Sequence, residues 1–396
     1  MSAVQPVEVP FDTDDELLCR VAWSRLAEPG DQRVVALVDE VGACAALHAL
    51  LTRDVPWMRP FRSRLPGLDP ARELAALHRL GGRLVVPGHD EWPPRLSLLD
   101  APPLCLWVRG PLDLGLVHRR SVAVVGARAA SAYGEHVAGE IACGAADRDF
   151  VVVSGLAYGI DAVAHRAALA AGRSVALVAG GVDRAYPQGN ASLMAALAEQ
   201  GAVISEVPPG SAPTRSRFLQ RNRLIAAMAG GTVVVEAALR SGALNTARTA
   251  AALGRPVGAV PGPVTSALSV GCHELVRDGR AVLVTDAAEV VDLVGALGGD
   301  AAPVLSGPSA DTDGLDAVTV RVLDALPVSI GRPVDRLCVV AGLDPRTLQG
   351  ALGRLDQLGL AERHGAGWRL ARRPGQPARA RRRSLVVGPD RPADER

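Results

Sequence analysis

The chain has no lysine. All 43 of its basic residues are arginines, and they stand against 42 acidic residues, so the formal net charge is only +1. This near balance gives no global signal of nucleic-acid binding, and the composition bias of a GC-rich genome explains the preference for arginine. Binding to a polyanion would therefore depend on arginines that cluster locally.

Cysteines are few and scattered. The six of them include no C-x-x-C pair, which argues against a zinc site and against a disulfide framework. No apolar run reaches membrane-spanning length, and the stretch from Asp12 to Glu16 is acidic, unlike the start of a secretory signal. We therefore expect a cytoplasmic protein with no metal and no membrane association.

Two nucleotide-binding fingerprints are also missing. Neither G-x-G-x-x-G nor a Walker A sequence occurs, which weakens a dinucleotide or triphosphate interpretation. We accordingly expect no cofactor.

Length and composition predict several domains. The 396 residues are 48% hydrophobic and include 29 prolines and 42 glycines, as expected for globular domains joined by linkers. The predicted segments are a helical module at 1–82, a sheet domain at 83–294, a linker at 295–314, a small domain at 315–371 and an arginine-rich disordered tail at 372–396.

The stretch from 121 to 293 alternates short apolar runs with helical segments. The runs are too short and too evenly apolar for surface helices, so we interpret them as strands buried on both faces. They span 121–125, 150–154, 174–179, 202–206, 232–236, 256–260 and 281–284, with crossover helices at 135–146, 162–171 and 246–253. This order predicts an α/β fold with a doubly wound parallel sheet, whose ligand crevice lies at the carboxyl ends of the strands.

The flanking segments leave alternatives open. The helices predicted between 17 and 51, broken at Gly30, suit either simple packing or contact with a DNA backbone. Trp92 and Trp107, in a connector at 83–110, suit either the core or base stacking.

After the linker, the pattern predicts a winged helix. It consists of helices at 315–326, 334–340 and 345–358 and a hairpin at 360–370, with Asp344 capping the third helix. That helix would present Arg346, Thr347, Gln349 and Arg354 to a DNA major groove, although protein docking fits the same pattern. The arginine-rich tail would add weak, salt-sensitive attraction to phosphates.

Two glycine-containing clusters follow predicted strands. In the first, Gly126 lets the backbone approach a ligand and Arg128 places a guanidinium beside a helix start, which suits a phosphate. In the second, Ser154, Gly155 and Gly159 surround small residues and expose backbone N–H groups. Asp161 is expected to cap the next helix, which carries His165. These two side chains form either a structural hydrogen bond or an acid/base pair.

Two further clusters complete the set. The stretch 215–223 contains Arg215, Phe218, Arg221, Asn222 and Arg223 and no acid, a pattern typical of single-stranded nucleic-acid binding. The alternative is a solvated basic face with Phe218 in the core. The stretch 236–247 begins at Glu236 and offers Ser241 and Gly242 at a helix start.

In this order and spacing, the clusters resemble the DprA/Smf family of DNA-processing proteins. The matching motifs are Gly-Ser/Thr-Arg at 126–128, Ser-Gly-x-Ala-x-Gly-Ile-Asp-x-x-Ala-His at 154–165, Tyr-Pro-x-x-Asn at 186–190, Ser-Glu-x-Pro-Pro-Gly at 205–210, Arg-Asn-Arg at 221–223 and Glu-Ala-x-x-x-Ser-Gly at 236–242. The resemblance extends from about 83 to 293, and the end domains are similar to the family's optional ones.

The resemblance implies an extended Rossmann-like domain with a small N-terminal helical module, of the SAM or helix-hairpin-helix kind, and a C-terminal winged helix. It implies a homodimer without catalytic residues that binds and protects incoming single-stranded DNA and loads RecA recombinase in natural transformation or recombination. It implies that Arg128, Gly155, Arg221 and Arg223 line the DNA pocket, that Arg215 contacts a phosphate and that Phe218 is the family's aromatic residue. Together with the residues of the four clusters, the predicted DNA contacts are Gly126, Arg128, Ser154, Gly155, Gly159, Arg215, Phe218, Arg221, Asn222, Arg223, Ser241 and Gly242, and the predicted structural motif residues are Asp161, His165 and Glu236.

The sequence departs from the family at four positions. Ala127 replaces a Ser or Thr, which puts one phosphate bond in doubt, and Leu219 replaces a proline, which would loosen the loop that presents Phe218. Asn245 replaces an aliphatic residue and His273 an asparagine.

Two other functions are weighed. One is a nucleoside-monophosphate phosphoribohydrolase of the lysine-decarboxylase-like family, whose Pro-Gly-Gly-x-Gly-Thr-x-x-Glu loop is matched poorly at 229–236. The other is an adaptor that docks a partner through its winged helix.

Overall fold

A computed structural model describes residues 7–296, 299–303 and 312–371. The chain divides into two compact units, Met1–Pro303 and Val304–Arg396. The division falls within the predicted linker, whereas the segment 1–82 belongs to the same unit as the sheet. The predicted tail at 372–396 and part of the linker lie outside the described residues, and the five predicted boundaries stay predictions.

A mixed, mostly parallel sheet forms the centre of the first unit. Its strands are β1 (Gly82–Val85), β2 (Leu106–Arg109), β3 (Ser121–Val125), β4 (Val151–Ser154), β5 (Ser174–Val178), β6 (Ala202–Ser205), β7 (Thr232–Val234), β8 (Val257–Ala259) and β9 (Val282–Leu283). Their order in space is β1-β2-β6-β5-β4-β3-β7-β8-β9. The seven predicted strands are confirmed to within two residues at each end. The predicted connector adds β1 and β2, which run antiparallel at one edge.

Helices cover both faces of this sheet. The α-helices described in the unit are α1 (Glu16–Leu26), α2 (Gln32–Val41), α3 (Ala43–Thr52), α4 (Arg59–Arg62), α5 (Pro70–Arg79), α6 (Ala132–Ala146), α7 (Ile160–Ala171), α8 (Ala191–Gln200), α9 (Arg215–Met228), α10 (Gly242–Ala252), α11 (Val270–Arg277) and α12 (Ala287–Val294). Successive side chains of β3 enter different cores: Val122 and Val124 pack with α6 and α7, and Ala123 and Val125 pack with α9 and α10. This confirms the predicted α/β, Rossmann-like architecture.

The N-terminal helices share a core with the sheet. Val21 of α1 and Leu77 of α5 pack in one cluster with Trp107 of β2. Trp107 is fully buried and Trp92 is nearly so, which confirms the core interpretation for both rather than base stacking. In the described part of the chain, no single helix has the length and apolarity to cross a membrane. The pair α2 and α3 meets that test jointly, with a 112° bend between them.

The second unit contains the predicted three helices and hairpin. They are α13 (Ala317–Ala325), α14 (Val334–Ala341), α15 (Pro345–Gln357), β10 (Ala361–His364) and β11 (Gly367–Leu370). Asp344 caps α15, as predicted, by accepting from the backbone N–H groups of Arg346 and Thr347 at 3.0 and 3.1 Å. Membership in the winged-helix class stays a prediction.

Of the four side chains that were expected to face a DNA groove, two are bound to acidic neighbours. Arg354 lies 2.7 Å from the Asp316 carboxylate, and the Thr347 hydroxyl donates to Asp344. Arg346 and Gln349 are exposed. DNA contact and protein docking by this unit both stay predictions.

Candidate nucleic-acid interface

A cleft opens where the strand order reverses. From β3 the chain continues to β4 on one side, and it later returns as β7 on the other side. In open α/β sheets, ligands bind outside the carboxyl ends of the strands at such a point. The cleft has a volume of about 410 Å³. The loop after β3, the loop after β4, one side of α9 and the start of α10 line it.

Half of the predicted DNA-contacting residues lie on this cleft. They are Gly126, Arg128, Arg221, Asn222, Ser241 and Gly242. Arg240, Thr246 and Leu268 also line it. Leu268 belongs to the loop after β8 and carried no sequence signal.

The cleft is electropositive. Arg128 and Arg240 are exposed on its walls, and Arg221 is buried at its base. Among the described lining residues the one carboxylate is Asp161, which is itself buried. The amino end of α10 adds the positive end of an eleven-residue helix, with Ser241 as its cap. This arrangement favours an anionic ligand.

Arg221 is only 6% exposed, which is unusual for a guanidinium. Its Nη1 donates to the carbonyl of Leu177 at 2.7 Å, while its Nε has no hydrogen-bond partner among the described residues. Burial lowers the pKa of Arg221 to about 10, the charge of Arg128 acts in the same direction, and Asp161 opposes both. Arg221 therefore remains charged at neutral pH and contributes a fixed positive charge to the cleft.

Asp161 does not cap its helix, contrary to the prediction. Gly159 holds the cap position, and Asp161, the second residue of α7, points back to the preceding loop. Its carboxylate accepts from the backbone N–H groups of Gly155 and Ala157 at 3.1 and 3.4 Å. Burial raises the pKa of Asp161, although Arg221 and these two N–H groups act against the rise.

The same loop is held from behind by His165. His165 is fully buried, its Nε2 accepts from the N–H of Leu156 at 3.3 Å, and its Nδ1 lies 2.7 Å from the Ser174 hydroxyl. Ser174 in turn donates to the carbonyl of Val152. Burial lowers the pKa of His165 to about 3, so the ring is neutral. His165 is thus bonded within the domain, as expected, and fixes the loop after β4.

Two predicted residues at the start of that loop, Ser154 and Gly155, are not part of the cleft lining. The hydroxyl of Ser154 donates to the carbonyl of Val124 at 2.7 Å, which joins β4 to β3. Gly155 lies against the Arg221 guanidinium so closely that a Cβ would overlap it. A side chain at 155 would therefore displace the buried arginine.

Glu236 joins the end of β7 to the start of α6. It is 2% exposed, and its carboxylate accepts from the backbone N–H of Ser131 at 2.9 Å and from the Ser131 hydroxyl at 2.5 Å. Ser131 caps α6 through the N–H of Gly134. Glu236 therefore positions the helix that follows the Arg128 loop.

The basic stretch 215–223 lies on a helix. It forms the first turns of α9, which Thr214 caps. The expected loosening of a loop by Leu219 therefore does not apply. Because residues on a helix point in different directions, the arginines of α9 reach different neighbours.

Arg223 and Arg217 point away from the cleft. Arg223 pairs with Glu206 and donates to the carbonyl of Ala101, which contradicts the prediction that it lines the DNA pocket. Arg217 binds both carboxylate oxygens of Glu28, at 2.8 and 3.0 Å, and the Gln220 side chain occupies the space beside Gly30. These contacts attach α9 to the N-terminal helices.

Phe218 lies at the edge of the cleft and is half-buried, rather than tucked into the core. The guanidinium carbons of Arg128 and Arg221 lie 5.1 and 5.9 Å from its ring centroid. Arg215, at the exposed start of α9, and Gly159 are not part of the cleft lining.

In the described ranges, no group of three or more His, Cys, Asp or Glu side chains is placed to hold a metal ion. Asp161 and His165 are engaged in holding the loop after β4, and no hydrogen bond joins them among the described residues.

Comparisons with known proteins identify relatives. The family model for DNA recombination-mediator protein A matches residues 83–295. A DNA processing protein DprA of Mycobacterium tuberculosis is 46% identical over 368 residues, which cover 89% of this chain and 94% of that protein. Protein Smf of Escherichia coli is 43% identical over 212 residues, 52% of this chain and 56% of Smf. The X-ray structure of DprA from Streptococcus pneumoniae matches with a TM-score of 0.61 and 31% identity, over 72% of this chain and 99% of that one.

Proposed function

The chain belongs to the DNA recombination-mediator protein A family, and from this premise we propose that it binds single-stranded DNA in the cleft between β3 and β7. The observation that carries the proposal is the charge of that cleft, which three arginines and the amino end of α10 line, while Asp161 is the one carboxylate among the described lining residues. Phosphodiester groups are the anions that a DNA strand offers to such a site.

One feature favours a single strand over a duplex, and another favours binding without sequence preference. Phe218 presents a ring at the cleft edge, and only unpaired bases expose faces that stack on it. The one amide on the lining, Asn222, lies 3.4 Å from the carbonyl of Gly242 and donates to it. Since the cleft offers no set of base-reading groups, we expect little sequence preference.

The first test measures affinity against salt. We expect the protein to bind a single strand more tightly than a duplex of equal length, and the affinity to fall steeply as salt rises. Arg128→Ala removes one phosphate contact, so it should weaken binding and reduce the slope of log K against log salt by about 0.7. Fluorescence anisotropy with labelled oligonucleotides, over a range of salt concentrations, provides the measurement.

Arg173→Ala is the matched control for that test. Arg173 is exposed directly before β5, at the opposite edge of the sheet, so this change removes the same charge away from the cleft. We expect wild-type affinity and slope. Tighter binding to duplex, or an equal effect of the two substitutions, would contradict the proposal.

We also propose, from the family resemblance, that the bound strand is protected and passed to RecA recombinase. The test is RecA-dependent strand exchange on DNA covered by single-strand binding protein. The wild-type protein should stimulate exchange, and Arg128→Ala should not, because loading requires that the strand be held. Equal stimulation by both proteins would separate RecA loading from the cleft.

A second copy of the chain is the proposed partner of β9. This last strand of the sheet exposes Val282 by 56% and Leu283 by 47%, and an edge strand presents unpaired backbone groups to another chain. We expect a dimer in analytical ultracentrifugation and a monomer for Val282→Glu. Val340→Glu, at an equally exposed apolar position of α14, should leave the dimer intact. A dimer that survives Val282→Glu would place the interface elsewhere.

A further inference from the structure

Aromatic side chains are scarce in this chain, at 3% of residues, and most of them are at least half-buried. The most exposed are the three tyrosines, Tyr133, Tyr158 and Tyr186, at 41%, 49% and 52%. All three lie at the carboxyl edge of the sheet, after β3, β4 and β5 respectively. Exposed aromatic rings are therefore concentrated on the side of the molecule that holds the cleft.

Two of these tyrosines continue the surface that begins at Phe218. The ring centroids of Tyr186 and Phe218 are 5.4 Å apart, with their planes at 52°. Three residues beyond Tyr186, the backbone of Gly189 lies against the ring of Tyr158: a Cβ there would be 2.7 Å from the Tyr158 hydroxyl oxygen and 3.1 Å from its Cε1. Phe218, Tyr186 and Tyr158 are thus linked in this order, the first pair by their rings and the second through the backbone of Gly189.

The hydroxyl groups of the three tyrosines differ in their hydrogen bonding. The Tyr133 hydroxyl donates to the carbonyl of Pro261 at 2.5 Å, which ties the start of α6 to the loop after β8. Among the described residues, the hydroxyls of Tyr158 and Tyr186 make no hydrogen bond. Tyr133 therefore has a structural task, whereas the other two rings are exposed without one.

We propose that Phe218, Tyr186 and Tyr158 form an aromatic track on which successive unpaired bases of single-stranded DNA stack. This inference rests on the proposed function and adds the path of the bases to it. The occupant follows from charge, because the track starts where the Arg128 guanidinium covers the Phe218 ring at 5.1 Å and thus where phosphates are expected to enter. A base presents a flat face to each ring while its phosphate remains beside the arginines.

The size of the effect follows from stacking. Base-on-aromatic stacking contributes about 1–3 kcal/mol per base, which corresponds to a fivefold to hundredfold change in affinity. We therefore expect Tyr186→Leu and Tyr158→Leu each to weaken binding of an oligothymidylate by about that factor. Tyr186→Phe and Tyr158→Phe keep the ring and should bind within about twofold of wild type.

An abasic oligonucleotide of the same length separates bases from backbone. It keeps the phosphates and sugars, so the leucine variants should bind it as the wild-type protein does. Tyr133→Leu, a tyrosine of similar exposure outside the track, should bind oligothymidylate normally. Thermal melting of every variant verifies its folding.

Fluorescence of a labelled base tests the track on the wild-type protein. The emission of 2-aminopurine within the oligonucleotide should be quenched on binding, because the base stacks on a ring. Absence of quenching, wild-type affinity of the leucine variants, or an equal loss on the abasic strand would overturn the track. Failure of the wild-type protein to bind any single strand would instead remove the proposed function, and the track with it.

Discussion

Arg221→Met is expected to lower the free energy of unfolding by about 3–5 kcal/mol, as measured by urea denaturation at neutral pH. The substitution removes the positive charge that faces the buried carboxylate of Asp161, which keeps its hydrogen bonds from the backbone N–H groups of Gly155 and Ala157. Asp161 and Arg221 are both buried and their charges attract without a direct hydrogen bond, so removing the Arg221 charge leaves the carboxylate poorly compensated, and this is the source of the loss.

The double variant Asp161→Asn with Arg221→Met tests that cause. Asparagine keeps an oxygen that accepts from Gly155 and Ala157 but carries no charge, so the double variant should be more stable than Arg221→Met alone. A double variant as unstable as the single one would show that lost packing, rather than the unpaired carboxylate, causes the effect.

The same single variant should depend on pH in a defined direction. Burial raises the folded-state pKa of Asp161, and without Arg221 less opposes this rise. A carboxyl with a raised folded-state pKa destabilises the fold while it is ionised. The deficit of Arg221→Met should therefore be complete above that folded-state pKa and shrink as pH falls from there toward the ordinary value of 3.8.

Gly159→Ala is expected to lower the free energy of unfolding by about 2–5 kcal/mol. Gly159 has φ of +72°, where an L side chain costs about 1–2 kcal/mol, and its Cβ would overlap the carbonyl oxygens of Ala127 and Arg128. Overpacking of this kind adds about 1–3 kcal/mol. Since the overlapped backbone is the loop that carries Arg128, affinity for single-stranded DNA should fall as well.

Gly210→Ala isolates the steric part of that cost. Gly210 has a similar φ of +80°, but a Cβ there would meet no atom within 4 Å. Gly210→Ala should therefore lower the free energy of unfolding by only about 1–2 kcal/mol and leave DNA binding unchanged. Equal losses in urea denaturation for the two variants would contradict the expected overlap at 159.

The strands were predictable because their signal is local. Runs such as Ser121–Val125 are apolar throughout, as burial on both faces requires, and they are strands in the structure. The pairing of β2 with β6 was not predictable, because a strand's apolar pattern does not say which neighbour it joins or in which direction. The sheet is therefore mixed where a parallel one was expected.

Residues of the cleft were predictable where the motif itself supplies the backbone that lines the cleft, as at Gly126 and Ser241. They were not predictable where a side chain's partner is distant in sequence. Arg221 and Arg223 belong to the same short motif and look alike in the sequence. In the structure, however, Arg223 pairs with Glu206, whereas Arg221 lines the cleft. Asp161 is a residue type that often caps helices and lies at a predicted helix start, but its carboxylate accepts instead from the N–H groups of Gly155 and Ala157 in the preceding loop.

The attachment of α9 to the N-terminal helices links two parts of the chain that lie far apart in sequence. Glu28 holds Arg217, and Gln220 packs beside Gly30, on the same helix that carries Phe218 and Arg221. If the cleft binds single-stranded DNA as proposed, we expect a molecule that binds the turn between α1 and α2 and shifts these contacts to change the affinity of the cleft for DNA. Because such coupling is reciprocal, DNA would change the affinity of that molecule by the same factor.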